Sequence, residues 1–142
     1  MSCIVFDAGA LIALERNDRG LWSALKVAAL ASVDILVPST VLAQVWRGSQ
    51  GQALLSRALD FCEIAPFDSV AREVGKLCGK TNTSDICDAH VAIVASSRGD
   101  ILYTGDPHDL RRTAGARYLR RAELRLLRRK RQADFRGYSR AL

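Results

Sequence analysis

Four aspartates occupy positions from which carboxylates could act together: Asp7, Asp85, Asp88 and Asp106. Asp7 closes the apolar run Ile4-Val5-Phe6, and Asp106 follows Ile101-Leu102-Tyr103-Thr104 by two residues. Asp85 and Asp88 open the apolar stretch Ile86–Ala95, three residues apart and so on one face of a helix. Ligands of open α/β sheets bind beyond the carboxyl ends of the strands. If the first and fourth strands are neighbours, Asp7, Asp106 and the start of that helix converge. Carboxylates gathered in this way repel one another, and a hard cation relieves the repulsion. Mg²⁺ or Mn²⁺ is the cofactor expected, because such ions take oxygen ligands and no His/Cys cluster competes. The chemistry available to that centre is activation of water and neutralisation of charge during displacement at a phosphodiester.

Several of the chain's acids and other polar residues also have a plain structural reading. Asp85 serves equally well as an acid at a positive helix N-terminus, and Asp109 reads as a first-turn helix acid before a ligand. Asp68 reads as an N-cap for Ser69–Cys78, and Asp34 and Asp60 as surface or turn residues. Asp7 is harder to explain structurally, since no helix is expected to begin directly after it. His90 lies two residues from Asp88 and so points elsewhere, which favours a partly buried, hydrogen-bonded ring over a catalytic one. His108 reads as a solvated loop histidine. Ser84 reads as a cap and not a nucleophile, with no histidine placed to act as its base. Trp46 suits either the core or the anchoring of a partner helix. Cys3, Cys62, Cys78 and Cys87 are scattered, without a C-x-x-C, and read as small buried apolar residues in a reducing compartment.

The elements that must position these groups alternate along the chain. Short β-rich runs predict strands at Ser2–Phe6, Ile35–Val37, Phe61–Ile64 and Ile101–Thr104. Between them, apolar spacing of three and four predicts helices at Ala10–Glu15, Leu21–Leu30, Val41–Trp46 and Gln52–Leu59. Further helices are predicted at Ser69–Cys78, at Ile86–Ala95 and from Asp106-Pro107 to about Arg112. Ser39 or Thr40 is the expected cap of the third helix, and Thr83 or Ser84 that of the Ile86 helix. Such alternation predicts an α/β fold with a parallel sheet flanked by helices on both faces. Residues 116–119 are the only candidate for a fifth strand before the Arg-rich stretch.

Charge divides the chain. Residues 1–110 hold nine Lys/Arg and thirteen Asp/Glu, a balance of −4. Residues 111–142 hold twelve Lys/Arg against Glu123 and Asp134, a balance of +10. The reading is an acidic domain over 1–112 followed by an Arg-rich extension over 113–142. A basic arm favours phosphate-rich partners, though a solvated tail without a partner has the same composition. Apolar stretches of about ten residues are too short to span a bilayer, and Met1–Asp7 lacks the pattern of a signal peptide. The expected location is therefore cytoplasmic, with no membrane partner.

Four segments together resemble the motifs of PIN-domain ribonucleases, in particular the toxins of VapBC-like toxin–antitoxin systems. They are Ile4–Leu14 (IVFDAGALIAL), Val37–Gly48 (VPSTVLAQVWRG), Asp85–Ala92 (DICDAHVA) and Leu102–Leu110 (LYTGDPHDL), in that order across roughly residues 1–112. The resemblance implies Mg²⁺- or Mn²⁺-dependent RNA cleavage leaving 5′-phosphate and 3′-hydroxyl ends. It also implies a cognate antitoxin protein as partner, and leaves room for a homodimer. By position it makes Asp7, Asp88 and Asp106 the catalytic and metal-binding acids, with Gln44, Asp85 and Asp109 around them. Two positions depart from the pattern: Gln44 stands where the family usually has Glu, and Ala8 where it usually has a hydroxyl residue. An amide is a neutral ligand and cannot act as a carboxylate base.

The expected activity is thus that of a metal-dependent endoribonuclease. A phosphatase of the haloacid-dehalogenase type would need a second Asp two residues after the first, where this chain has Gly9. A non-enzymatic alternative is a PIN-like nucleic-acid-binding module that acts through its basic tail.

Overall fold

The computed structural model describes residues 3–98 and 101–104, and the backbone of 123–126. Five parallel strands form one sheet: β1 (Cys3–Phe6), β2 (Asp34–Pro38), β3 (Glu63–Ala65), β4 (Ile101–Thr104) and β5 (Glu123–Leu126). Their spatial order is β3-β2-β1-β4-β5. The chain therefore builds outward from β1 through β2 to β3, then crosses back to lay β4 on the other side of β1. Ile4 lies beside Ile35 of β2 and Ile101 of β4, and Phe6 beside Tyr103. The Phe6 and Tyr103 rings meet edge to face at 5.7 Å.

Among the described residues, six helices surround this sheet: α1 (Ala8–Glu15), α2 (Arg19–Leu30), α3 (Ser39–Val45), α4 (Ala53–Leu59), α5 (Ala71–Thr81) and α6 (Ile86–Arg98). The expected α/β architecture, a parallel sheet flanked by helices, is the one observed. β1 is buried along its whole length, as strands covered on both faces must be. In α2, Leu21, Leu25 and Ala28 turn one stripe inward. In α6 every residue from Ala89 to Ala95 is buried, because this helix packs against β1 and β2 while α3 and α5 cover it. No described helix is long and apolar enough to cross a membrane.

Several local expectations are corrected. Asp68 is not an N-cap: it starts a 3₁₀ turn at Asp68–Val70, and α5 follows from Ala71 without a side-chain cap. α3 begins at Ser39, directly after Pro38, so Ser39 and Thr40 lie in its first turn and do not cap it. α6 runs to Arg98, past Ala95. The candidate fifth strand at 116–119 lies outside the described residues. A fifth strand forms instead at Glu123–Leu126, within the stretch read as an Arg-rich extension, and pairs with β4 from Ile101 to Thr104.

The loop after α3 turns at Gly48, whose φ of +69° is costly for a residue with a side chain. Gln52 holds this loop. Its buried Oε1 accepts from the Arg47 and Gly48 amides at 2.7 and 3.1 Å, and its Nε2 donates to the Val45 carbonyl. Cys62, Cys78 and Cys87 are free thiols. Burial pushes the Cys62 thiol up to about 12, so it behaves as an apolar residue.

Candidate functional site

The strand order reverses at β1, with β2 and β3 on one side and β4 and β5 on the other. The carboxyl ends of β1 and β4 therefore form the topological switch point, where open α/β sheets leave a crevice. Asp7 sits there, half-buried, as the residue after β1. Its amide donates to the Tyr103 carbonyl of β4 at 3.3 Å. The condition that the first and fourth strands be neighbours is thus met.

Asp7 also has a structural task that the sequence concealed. α1 starts at Ala8, two residues earlier than its apolar spacing indicates, and the Asp7 Oδ1 accepts from the Ala10 amide at 3.0 Å. The view that no helix directly requires Asp7 is therefore corrected: it is the N-cap of α1. Capping and cation binding are compatible in one side chain, because a carboxylate carries about four lone-pair sites on two oxygens. The cap bond fixes the carboxylate at the carboxyl end of β1, close to the positive end of α1.

Asp85 caps α6. Its Oδ1 accepts from the Asp88 amide at 3.0 Å, and its carbonyl accepts from Ala89. This corrects the assignment of the cap to Thr83 or Ser84; the Thr83 hydroxyl instead accepts from the Asp85 amide at 3.2 Å. Asp85 is exposed and Asp88, in the first turn, is half-buried.

The start of α6 is tied to the start of α3, which itself leaves the carboxyl end of β2. The Cys87 Sγ lies 3.7 Å from the Thr40 carbonyl, and the Thr40 hydroxyl meets His90 Nδ1 at 2.8 Å. Asp7, the first turn of α3 and the Asp85–Asp88 turn thus all stand at the carboxyl edge of the sheet. Burial, then the neighbouring Asp85, and more weakly Asp88, hold the Cys87 thiol above its ordinary range.

His90 is fully buried and packs edge to face on Phe67 at 5.3 Å. Burial lowers its pKa. The Pro66 carbonyl opposes this, yet Nε2 makes no bond of good geometry. The expectation of a hydrogen-bonded histidine in the interior holds. Thr40 is the residue that sequence reasoning missed as the link between α3 and α6; its signal was a hydroxyl in a first turn, which also suits a cap. Trp46 terminates α3 and remains 39% exposed, so it is not a core residue.

Gln44 is exposed on α3. Asp106 and Asp109 lie outside the described residues. Among the described residues, no group of three or more His, Cys, Asp or Glu side chains could hold a metal ion. Asp7 and Asp88 nevertheless supply oxygen donors of the kind that suits a hard divalent cation. No family model and no curated protein matches the chain.

Proposed function

We propose that this protein is a metal-dependent endoribonuclease whose site is the carboxyl edge of the sheet at the β1/β4 switch point. The observation that carries the reading is the position of Asp7, fixed by its cap bond beside the end of β4. The linkage through Thr40, Cys87 and His90, which brings the first turn of α6 and Asp88 to the same edge, supports it.

In this reading Asp7 and Asp88 would hold Mg²⁺ or Mn²⁺, and the motif resemblance makes Asp106 the third acid. When bound, such an ion neutralises charge on a phosphodiester and activates water. The chain's own residues do the positioning. Asp85 fixes the first turn of α6 through the Asp88 amide, and Thr40 clamps α6 to α3 from the interior. Gln44 bears no charge, so it cannot act as a carboxylate base. The chain resembles toxins of VapBC-like pairs, and its proposed protein partner is a cognate antitoxin.

The test is RNA cleavage by the purified full chain in Mg²⁺, in Mn²⁺ and in EDTA, with Asp88→Asn alongside. Cleavage that needs the ion and falls at least about a hundredfold in the variant, the order of loss for a missing charge-stabilising group, supports the reading. Cleavage indifferent to EDTA defeats it. Nucleic-acid binding without cleavage would favour the binding module, a reading that the neutral, exposed Gln44 supports.

A further inference from the structure

Away from the carboxylates, α2 and α4 border an open groove of about 550 Å³. Arg19 and Lys26 of α2 and Arg57 of α4 line it, together with Trp22, Leu54 and Phe61. No acidic residue is among its lining residues. That is unusual for this part of the chain, where acids outnumber bases thirteen to nine over residues 1–110. All three cations are exposed, and among the described residues none of them forms an ion pair.

The aromatic residues are arranged differently from ordinary core. Phe61 is 52% exposed. Trp22 is half-buried, and its Nε1 donates to the Leu14 carbonyl at 3.0 Å, which holds the indole in one orientation. Cations that follow a backbone, beside aromatic faces on which bases stack, are what a single strand of nucleic acid requires. Asn17 and Ser23 add hydrogen-bonding groups on the same wall.

We propose that the α2–α4 groove binds a single strand of RNA, with Arg19, Lys26 and Arg57 on its phosphates and Phe61 and Trp22 against its bases. The choice of RNA rests on the nuclease reading above. The groove itself does not, since it shares no residue with the carboxylate edge.

The experiment measures binding of a fluorescein-labelled oligouridine of about ten nucleotides, within the usual single-strand site size. Anisotropy is followed against salt in EDTA, with the full chain. Groove variant Arg19→Gln/Lys26→Gln/Arg57→Gln is compared with Arg72→Gln/Lys76→Gln/Lys80→Gln, which removes the same charge from exposed positions of α5. With three phosphates no longer neutralised, the logarithmic salt slope should flatten by roughly 2, and in the α5 control by less than roughly 0.7. Phe61→Ala should weaken binding roughly five- to hundredfold.

Circular dichroism checks that each variant is folded. In a Trp46→Phe background Trp22 is the one remaining tryptophan, and the oligonucleotide should quench it. Equal effects of the two triple variants, or an unquenched Trp22, overturn the proposal. So does quenching by an acidic amphipathic peptide but not by RNA, which would make the groove a protein dock. Because binding is read without metal, loss of groove binding with intact cleavage refutes the groove alone. Intact groove binding without metal-dependent cleavage refutes the nuclease reading alone.

Discussion

Replacing Asp7 by Asn and by Ala separates its two tasks. Asn caps a helix about as well as Asp, so Asp7→Asn keeps the bond to the Ala10 amide and removes only the charge. Ala removes both. Removal of the cap should cost Asp7→Ala about 1 kcal/mol, within a range of about 0.5–2. At roughly 4 °C per kcal/mol for a chain of this length, its Tm falls by about 2–8 °C. Asp7→Asn should stay close to wild type without metal. It loses a helix-end interaction of about 0.3–1 kcal/mol but is also relieved of repulsion from other carboxylates at the same edge. Metal separates the proteins further. An ion at about a hundred times its Kd stabilises the folded state by about 2.7 kcal/mol, roughly 10 °C for the wild type. Both variants should lose most of that shift, and with it nearly all cleavage. Thermal melts in EDTA and in Mg²⁺, paired with an RNA cleavage assay, measure every quantity. If Asp7→Ala melts like wild type in EDTA, the capping argument is wrong. If Asp7→Asn cleaves at the wild-type rate in saturating Mg²⁺, Asp7 is not a ligand.

Thr40→Val keeps the shape of the side chain but takes the partner from His90 Nδ1, leaving a buried ring without its 2.8 Å bond; urea unfolding should show a loss of about 1–3 kcal/mol. Burial lowers the pKa of His90, so the unfolded chain binds a proton that the folded chain refuses, and stability is lost as pH falls from the ordinary value of 6.5 through the folded one. The urea midpoint should accordingly drop more between neutral and mildly acid pH in the wild type than in His90→Gln, and equal drops would mean that another group titrates. Gln44→Glu adds a carboxylate at an exposed position of α3 and should tighten Mg²⁺ binding in calorimetric titration; unchanged affinity would put this position outside the ion's surroundings. Truncation after Leu127 retains β5 and removes six Lys/Arg, so the salt slope of RNA binding should flatten, by up to roughly 0.7 for each phosphate no longer neutralised, while cleavage at saturating RNA persists. A cut after Arg112 or Arg121 would delete β5 and is expected to destabilise the sheet.

Local patterns along the chain determined a good deal. Apolar runs at Ile4-Val5-Phe6, Ile35-Leu36-Val37 and Ile101–Thr104, separated by helical spacing, were enough for a parallel α/β sheet, because only strands covered on both faces are apolar without alternation. The aspartates that border these runs were legible for the same reason. Helix starts were less so. Ala8 and Gly9 contribute no apolar stripe, so the pattern of α1 begins at Ala10 and leaves the cap role of Asp7 hidden. Thr83, Ser84 and Asp85 are all competent caps, and the helix's register selected the last. β5 was obscured by its arginine-rich surroundings, though Glu123-Leu124-Arg125-Leu126 alternates polar and apolar residues with a strand's period of two. Tertiary structure alone decided that β4 returns beside β1, which puts Asp7 at the switch point. It also decided that Thr40 reaches His90, and that cations at 19, 26 and 57 share one groove. The physical reason is one of range. Periodicity, caps and turns depend on residues a few positions apart, whereas strand order and grooves depend on which surfaces far apart in the chain bury one another.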